Sequence, residues 1–253
     1  MSTVSRHTNI ASAGRLNGTR SFTMPHAGFL AAEIVLLVLF VILALVVHAN
    51  PGPLPGDVGI TLDLQHWLLP HKTVTDAMNL ASTLAWPIPS AITVGVITGI
   101  FLVLRRWLDA IVVLLLPGIA NGSNYLISKA VHRPRPSDHG VYVAQHVSVT
   151  YSFPSGHVLQ AVVFFGFLLF LSFVLFRPAP WLWPARIVLI LVILDMGPSR
   201  LLQGEHWPSD ELGAIVYGIF WVLLAIHVYT WAGHRWPKLR GQAPPAEAAE
   251  HAL

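Results

Sequence analysis

Three short stretches hold the residues best equipped for chemistry. The first is Ser199 to Asp210, which places Arg200, Glu205, His206 and Asp210 within a dozen positions. The second is Pro154-Ser155-Gly156-His157, and the third carries Lys129, His132, Arg133 and Arg135. Arginine offers a planar fork of donors that matches phosphate oxygens, and lysine adds a point charge. Ser155-Gly156-His157 opens an apolar run, so a helix starting there would present free N–H groups and the positive end of its dipole to an anion. Gly156 leaves room for close approach. His206 and Asp210 are four apart, one turn if the helix already runs there, which would let the carboxylate hold one imidazole nitrogen and aim the other. His157 supplies a second imidazole, able to protonate a departing oxygen. Each of the three stretches suits a phosphate group.

The surroundings of these stretches are apolar. Of 253 residues, 54% are hydrophobic and 11% charged, against roughly 25% charged in soluble domains; mean hydropathy is +0.62. The pattern predicts an all-α polytopic membrane protein, a single bundle of six spans at about 28–49, 86–104, 107–127, 155–176, 181–196 and 212–231, each near the roughly 20 residues that cross a bilayer. Residues 1–27 read as a polar cytoplasmic tail, 28–232 as the membrane domain and 233–253 as a disordered cytoplasmic tail. The half-apolar segment at about 60–84 reads as an amphipathic surface helix. Ten Lys and Arg residues flank one side of these spans (Arg6, Arg15, Arg20, Arg105, Arg106, Arg177, Arg186, Arg235, Lys238, Arg240). Five flank the other (Lys72, Lys129, Arg133, Arg135, Arg200). The bias places both tails in the cytoplasm and the three chemical stretches together on the extracytoplasmic face. With no cysteine, disulfides and thiolate chemistry are excluded. A net charge of +3 argues against a nucleic-acid partner.

The three stretches resemble the signature motifs of the type 2 phosphatidic acid phosphatase superfamily, the lipid phosphate phosphatases. Pro154-Ser155-Gly156-His157 matches the second motif, and Ser199, Arg200, His206 and Asp210 match the third. The first departs: the family has lysine, six residues, then Arg-Pro, whereas five residues separate Lys129 from Arg135-Pro136 and Ser128 stands where the lysine belongs. One helical position is about 100° of rotation. A local bulge, a long lysine reaching round, or Arg133 taking over would each repair the offset. The resemblance implies a membrane phosphatase that needs no metal or other cofactor, acting on a lipid monophosphate or diphosphate such as undecaprenyl diphosphate or phosphatidate. His206 would attack phosphorus to give a phosphohistidine, Asp210 would orient it and His157 would protonate the leaving group. Arg135, Arg200, Ser155, Gly156 and Lys129 would bind the phosphate. A lipid-dependent phosphotransferase would share every motif; a six-span transporter or lipid-binding protein would instead bury charge at mid-depth.

The remaining polar residues have plainer readings. Glu205 is expected on the solvated rim. His132, His139 and His146 recur at intervals of seven without an acid or Cys cluster, which does not make a zinc site. Asn121, Ser123 and Asn124 are expected to bond between helices, and Gly213, Ala214 and Gly218 to let helices pack closely.

Overall fold

The structure, a computed structural model, describes residues 26–137, 139–144, 151–176 and 180–240. Arg177, His146 and the greater part of both predicted tails lie outside the described residues. The described chain is all-α: α1 (His26–Ala49), α2 (Asp57–Leu68), α3 (Lys72–Ser82), α4 (Pro87–Val103) and α5 (Trp107–Val131) come first. Then α6 (Gly156–Gln160) passes through a π turn at Ala161–Phe165 into α7 (Gly166–Leu175), followed by α8 (Trp183–Leu202) and α9 (Pro208–Arg235). Among the described residues four helical stretches are long and apolar enough to cross a membrane: α1, α5, α6–α7 and α9. A fifth arises if the α3–α4 pair, bent by 62°, counts as one.

The helices run alternately up and down, which brings one end of each to the site. The carboxy ends of α1, α5 and α8 and the amino ends of α4, α6 and α9 meet there. His48 at the end of α1 bonds the Val131 carbonyl at the end of α5, while Glu33 near the start of α1 pairs with His227 far along α9. The α6–α7 helix is the core of the bundle, with Phe164, Phe167 and Leu159 almost wholly buried. Close packing needs small partners. A Cβ on Gly213 would come within 2.5 Å of the Phe153 ring, and one on Gly218 within 2.7 Å of Val162. α1 faces outward with Leu and Val exposed along much of its length, as a helix bathed in lipid does.

Several boundaries differ from the sequence expectations for physical reasons. α8 does not stop at Gly197-Pro198; it runs on to Leu202, with Pro198 inside. Ser199 and Arg200 therefore belong to its last turns. α9 begins at Pro208, where a missing N–H does no harm. It runs on to Arg235, and Pro237–Arg240 forms a 3-10 turn, so residues 233–235 and 237–240 are helical rather than tail. The segment read as one amphipathic surface helix is two helices packed on the bundle. The buried positions of α2 are Asp57, Thr61, Gln65 and Leu68, a polar face turned inward. Gln65 explains why: its amide bonds the Leu201 carbonyl at 3.0 Å and both the carbonyl and N–H of Tyr142 at 2.9 Å. It caps the open end of α8.

Candidate active site

A cavity of about 600 Å³ opens between α4, α5 and α6, and Arg135, Gly156, His157 and His206 line its head. His206 precedes α9, in the loop that Gly204 turns with φ +66°. A side chain at Gly204 would overlap the Tyr142 carbonyl, so the loop requires glycine. The Nδ1 of His206 lies 2.8 Å from the Ser152 carbonyl oxygen. A carbonyl only accepts, so Nδ1 carries the proton and the Nε2 lone pair is left for the cavity. Arg135 Nη1 stands 3.5 Å from that Nε2. Burial pushes the His206 imidazole below its ordinary pKa, Asp210 pulls the other way, and Arg135 adds to the depression. The nitrogen facing the cavity is a free base at neutral pH.

Asp210 does not hold His206 as the four-residue spacing suggested. Because the helix starts only at Pro208, the Asp210 carboxylate folds back on its first turn. One oxygen accepts the Trp207 N–H at 2.8 Å, and the other takes Arg133 Nη1 at 2.6 Å. Its distance to His206 Nδ1 is 3.7 Å, within electrostatic reach and beyond a hydrogen bond. The imidazole is oriented by the Ser152 carbonyl and biased by the nearby carboxylate.

The cations separate into distinct places. Arg133 is wholly buried, its fork shared among Asp57, Asp210, Ser209 and the Gly52 carbonyl. It ties α2 to the start of α9 and does not replace the family lysine. Lys129 is exposed, its ammonium 4.5 Å from the centre of the Tyr125 ring. Tyr125 and Ser128 line the cavity and Lys129 does not; α5 continues regularly to Val131, with His132 closing it in the left-handed region at φ +59°. No bulge corrects the offset. Arg200 is also fully buried. Its Nη2 donates to Ser82 at 2.6 Å and its Nη1 to Glu205 at 3.3 Å. It therefore addresses the site through Glu205.

Glu205 is not on a solvated rim. It is 9% exposed, 3.3 Å from Arg200 and 3.7 Å from Arg135. One of its oxygens and one ring nitrogen each from His157 and His206 lie within 4.8 Å of one another. A carboxylate bridging two guanidiniums beside two imidazoles sits where an anion is best stabilised. The same three residues have metal-ligand chemistry, yet any cation there would face both arginines. His132 and His139 do not join them: His132 packs edge-on to Tyr151 and His139 edge-on to Trp207. Ser155 does not itself line the cavity, although Pro154 and Gly156 on either side of it do; its hydroxyl is buried without a partner among the described residues.

Sequence reasoning overlooked Asp57, Gln65, Ser82, the Ser152 carbonyl and the role of Glu205. A periodicity search looks for apolar faces and passes over α2, whose inward face is polar. A backbone acceptor such as Ser152 leaves no sequence signal. Two of the inter-helix polar bonds are as anticipated: Asn121 donates to Gln160 at 2.7 Å and Ser123 meets the Tyr217 hydroxyl at 2.8 Å; Asn124 instead reaches the Pro154 carbonyl, in the loop before α6, at 3.5 Å.

A helical membrane bundle with two histidines and an arginine at one end of a cavity defines a class of phosphate-handling membrane proteins. Residues 106–234 match the PAP2 superfamily, and the chain belongs to that superfamily. It is 30% identical over 115 residues to the lipid A 1-phosphatase of Rhizobium etli, covering 43% of this chain and 45% of that one. The lipid A 1-phosphatase of Rhizobium johnstonii matches at 30% over 115 residues, 43% of each. The match thus spans less than half the length of these curated relatives. Among solved structures, a transmembrane PAP2 type phosphatidylglycerolphosphate phosphatase from Bacillus subtilis superposes with a TM-score of 0.64. At 24% identity it covers 77% of this chain and 94% of that one, and this likeness shows the fold.

Proposed function

We propose that the protein is a lipid phosphate phosphatase that works through a phosphohistidine on His206. The observation that carries this is the Ser152–His206 bond, which leaves Nε2 as a free base beside Arg135 and His157 at the head of a cavity between helices. Nε2 attacks phosphorus and forms a P–N bond as the P–O bond to the lipid breaks. His157, which takes up a proton as the phosphate anion binds beside it, gives that proton to the departing oxygen. Water, deprotonated by His157, then attacks phosphorus; the P–N bond breaks and inorganic phosphate leaves. Arg135, the Gly156 N–H at the start of α6, and Ser155 stabilise charge on the equatorial oxygens, with Arg200 contributing once the anion takes the place of Glu205. Phosphoryl transfer is mostly positioning and electrostatics, so fixed cations and helix N–H groups can supply it. Asp210 holds the His206 loop and favours the charged imidazole.

The same reading takes residues 28–232 as the membrane domain, with α1, α4, α5, α6–α7, α8 and α9 as six spans. Both ends of the described chain lie opposite the site, and the cation bias puts those ends in the cytoplasm. The relatives named for lipid A 1-phosphate and phosphatidylglycerolphosphate support a lipid monophosphate as substrate.

The test is phosphate release by the purified protein in detergent from phosphatidate, phosphatidylglycerolphosphate, lipid A 1-phosphate and undecaprenyl diphosphate, with chelator present. His206→Ala is expected to lose turnover by 10³-fold or more on the order of other lost nucleophiles, and radiolabelled phosphate should be trapped on His206 as an acid-labile adduct. Activity preserved in His206→Ala would sink the mechanism.

A further inference from the structure

The cavity continues inward from the phosphate end. On α5 it is lined from Ser128 to Leu114 and on α4 from Pro87 to Gly95, and fourteen residues of helix rise about 21 Å. It is long enough for a lipid chain. Two glycines keep it open: a Cβ on Gly95 or Gly118 would meet nothing within 4 Å, so both border empty space. The deeper wall is apolar, with Ala91, Val94 and Leu114.

One band of this wall is not apolar. Ser90, Asn121 and Gln160 all line the cavity and are joined to one another, Gln160 to Ser90 at 2.6 Å and Asn121 to Gln160 at 2.7 Å. Asn124, also in the lining, has a buried carbonyl oxygen with no partner among the described residues. Gln160 follows His157 by three residues, about one turn and ~5 Å deeper. Polar groups at such depth are costly unless they find partners, and this belt keeps hydrogen-bonding capacity beyond its internal bonds: the Ser90 hydroxyl proton and the second Gln160 N–H can donate to an ester or amide carbonyl, and the Asn124 oxygen can accept an amide N–H.

Resting on the phosphatase reading, we infer that the cavity selects a lipid whose chains are joined through polar carbonyl linkages next to the phosphate, an acylated glycerol or sugar phosphate, over a polyprenyl phosphate. In an acylated lipid the ester or amide groups lie a few bonds from phosphorus, level with the belt, and the hydrocarbon lies along the apolar wall. A polyprenyl chain has only hydrocarbon at that level. It leaves the belt unpaired, and an unmade hydrogen bond in an apolar site is a discriminating loss.

The experiment measures kcat/KM in detergent micelles for a diacylglycerol phosphate, its dialkyl ether analogue and a polyprenyl phosphate at equal mole fraction. The ester lipid is expected to exceed the polyprenyl phosphate by about tenfold or more, with the ether between them. Asn121→Leu and Ser90→Ala should each lower the ester value by roughly three- to tenfold and narrow that ratio. Gly118→Leu, which enters open space, should reduce turnover of long-chain esters more than of short-chain ones. Equal or faster turnover of the polyprenyl phosphate overturns the inference. So does a belt variant that lowers all three substrates alike. Absence of phosphate release from every lipid would instead remove the phosphatase reading on which the inference stands.

Discussion

His206 is a base because its surroundings make protonation expensive. Its pKa lies below the ordinary 6.5, chiefly through burial. The acid limb of kcat/KM that reports this group is therefore expected below pH 6.5; a limb at or above that value would contradict the assignment. Stability moves in the same direction. Above 6.5 the imidazole is neutral in both folded and unfolded chains. As pH falls below 6.5 the unfolded chain takes up the proton first, so stability is lost until the folded imidazole titrates as well. Glu205 gives a second prediction at this scale. Its carboxylate pairs with Arg200 and Arg135, so Glu205→Gln should tighten inhibition by inorganic phosphate by roughly three- to tenfold. The same variant should melt lower without phosphate and recover when phosphate is added. Lys129 is the opposite case. Exposed and outside the cavity, it is expected to tolerate Lys129→Gln with Tm unchanged and kcat changed less than about twofold, the size expected of a screened exposed charge.

At the scale of elements, α2 acts as a clamp. Asp57 at its start accepts from Arg133 at 2.8 Å, from the Ser209 N–H at 2.9 Å and from the Ser209 hydroxyl at 2.7 Å. It thereby fixes the first turn of α9 directly after His206. Arg133→Gln removes one partner from two buried carboxylates and should destabilise by about 3–5 kcal/mol, read as a fall in Tm in detergent. Activity should fall at temperatures where the protein remains folded, because the His206 loop loses its tether. The small residues of α9 have a packing role of similar weight: Gly213→Ala brings a methyl against Phe153 and should cost about 1–3 kcal/mol. Such elements explain where sequence reading succeeded. α1, α5, α6–α7 and α9 are apolar enough to declare themselves, whereas α2 hides because burial of its polar face is rewarded only by partners distant in sequence.

On the whole-molecule scale the alternating helices bring three stretches separated by up to 81 residues to one end, counting from Lys129 to Asp210. The proposed orientation puts that end on the extracytoplasmic side of the membrane. The chain has no cysteine, so single substitutions make clean reporters. Ser137→Cys, exposed beside Arg135, should react with a membrane-impermeant maleimide added to intact cells. Thr83→Cys belongs to the same end, while Leu104→Cys at the opposite end should react only after the membrane is opened. Labelling of Leu104→Cys in intact cells would reverse the topology. Arg106 and Arg186, at the far end, are buried against Asp109 at 2.8 Å and over the Phe173 ring at 3.9 Å, so packing as well as charge bias holds them there.

Sequence by itself determined the helical class, the superfamily motifs and the residues able to handle phosphate. Those features are local: long apolar runs can satisfy their backbones in a bilayer only as helices, and His, Arg and Ser-Gly carry their chemistry wherever they stand. The tertiary structure decided which of these residues share a cavity. It aimed the His206 Nδ1–H at the Ser152 carbonyl, turned Asp210 toward Arg133 and the helix start, drew Glu205 inward between two arginines and left Lys129 outside. Each outcome depends on a partner dozens of residues away, and on a rotation about a helix axis that one inserted or missing position changes by about 100°. The cluster from Ser199 to Asp210 was legible as chemistry; its geometry belongs to the fold.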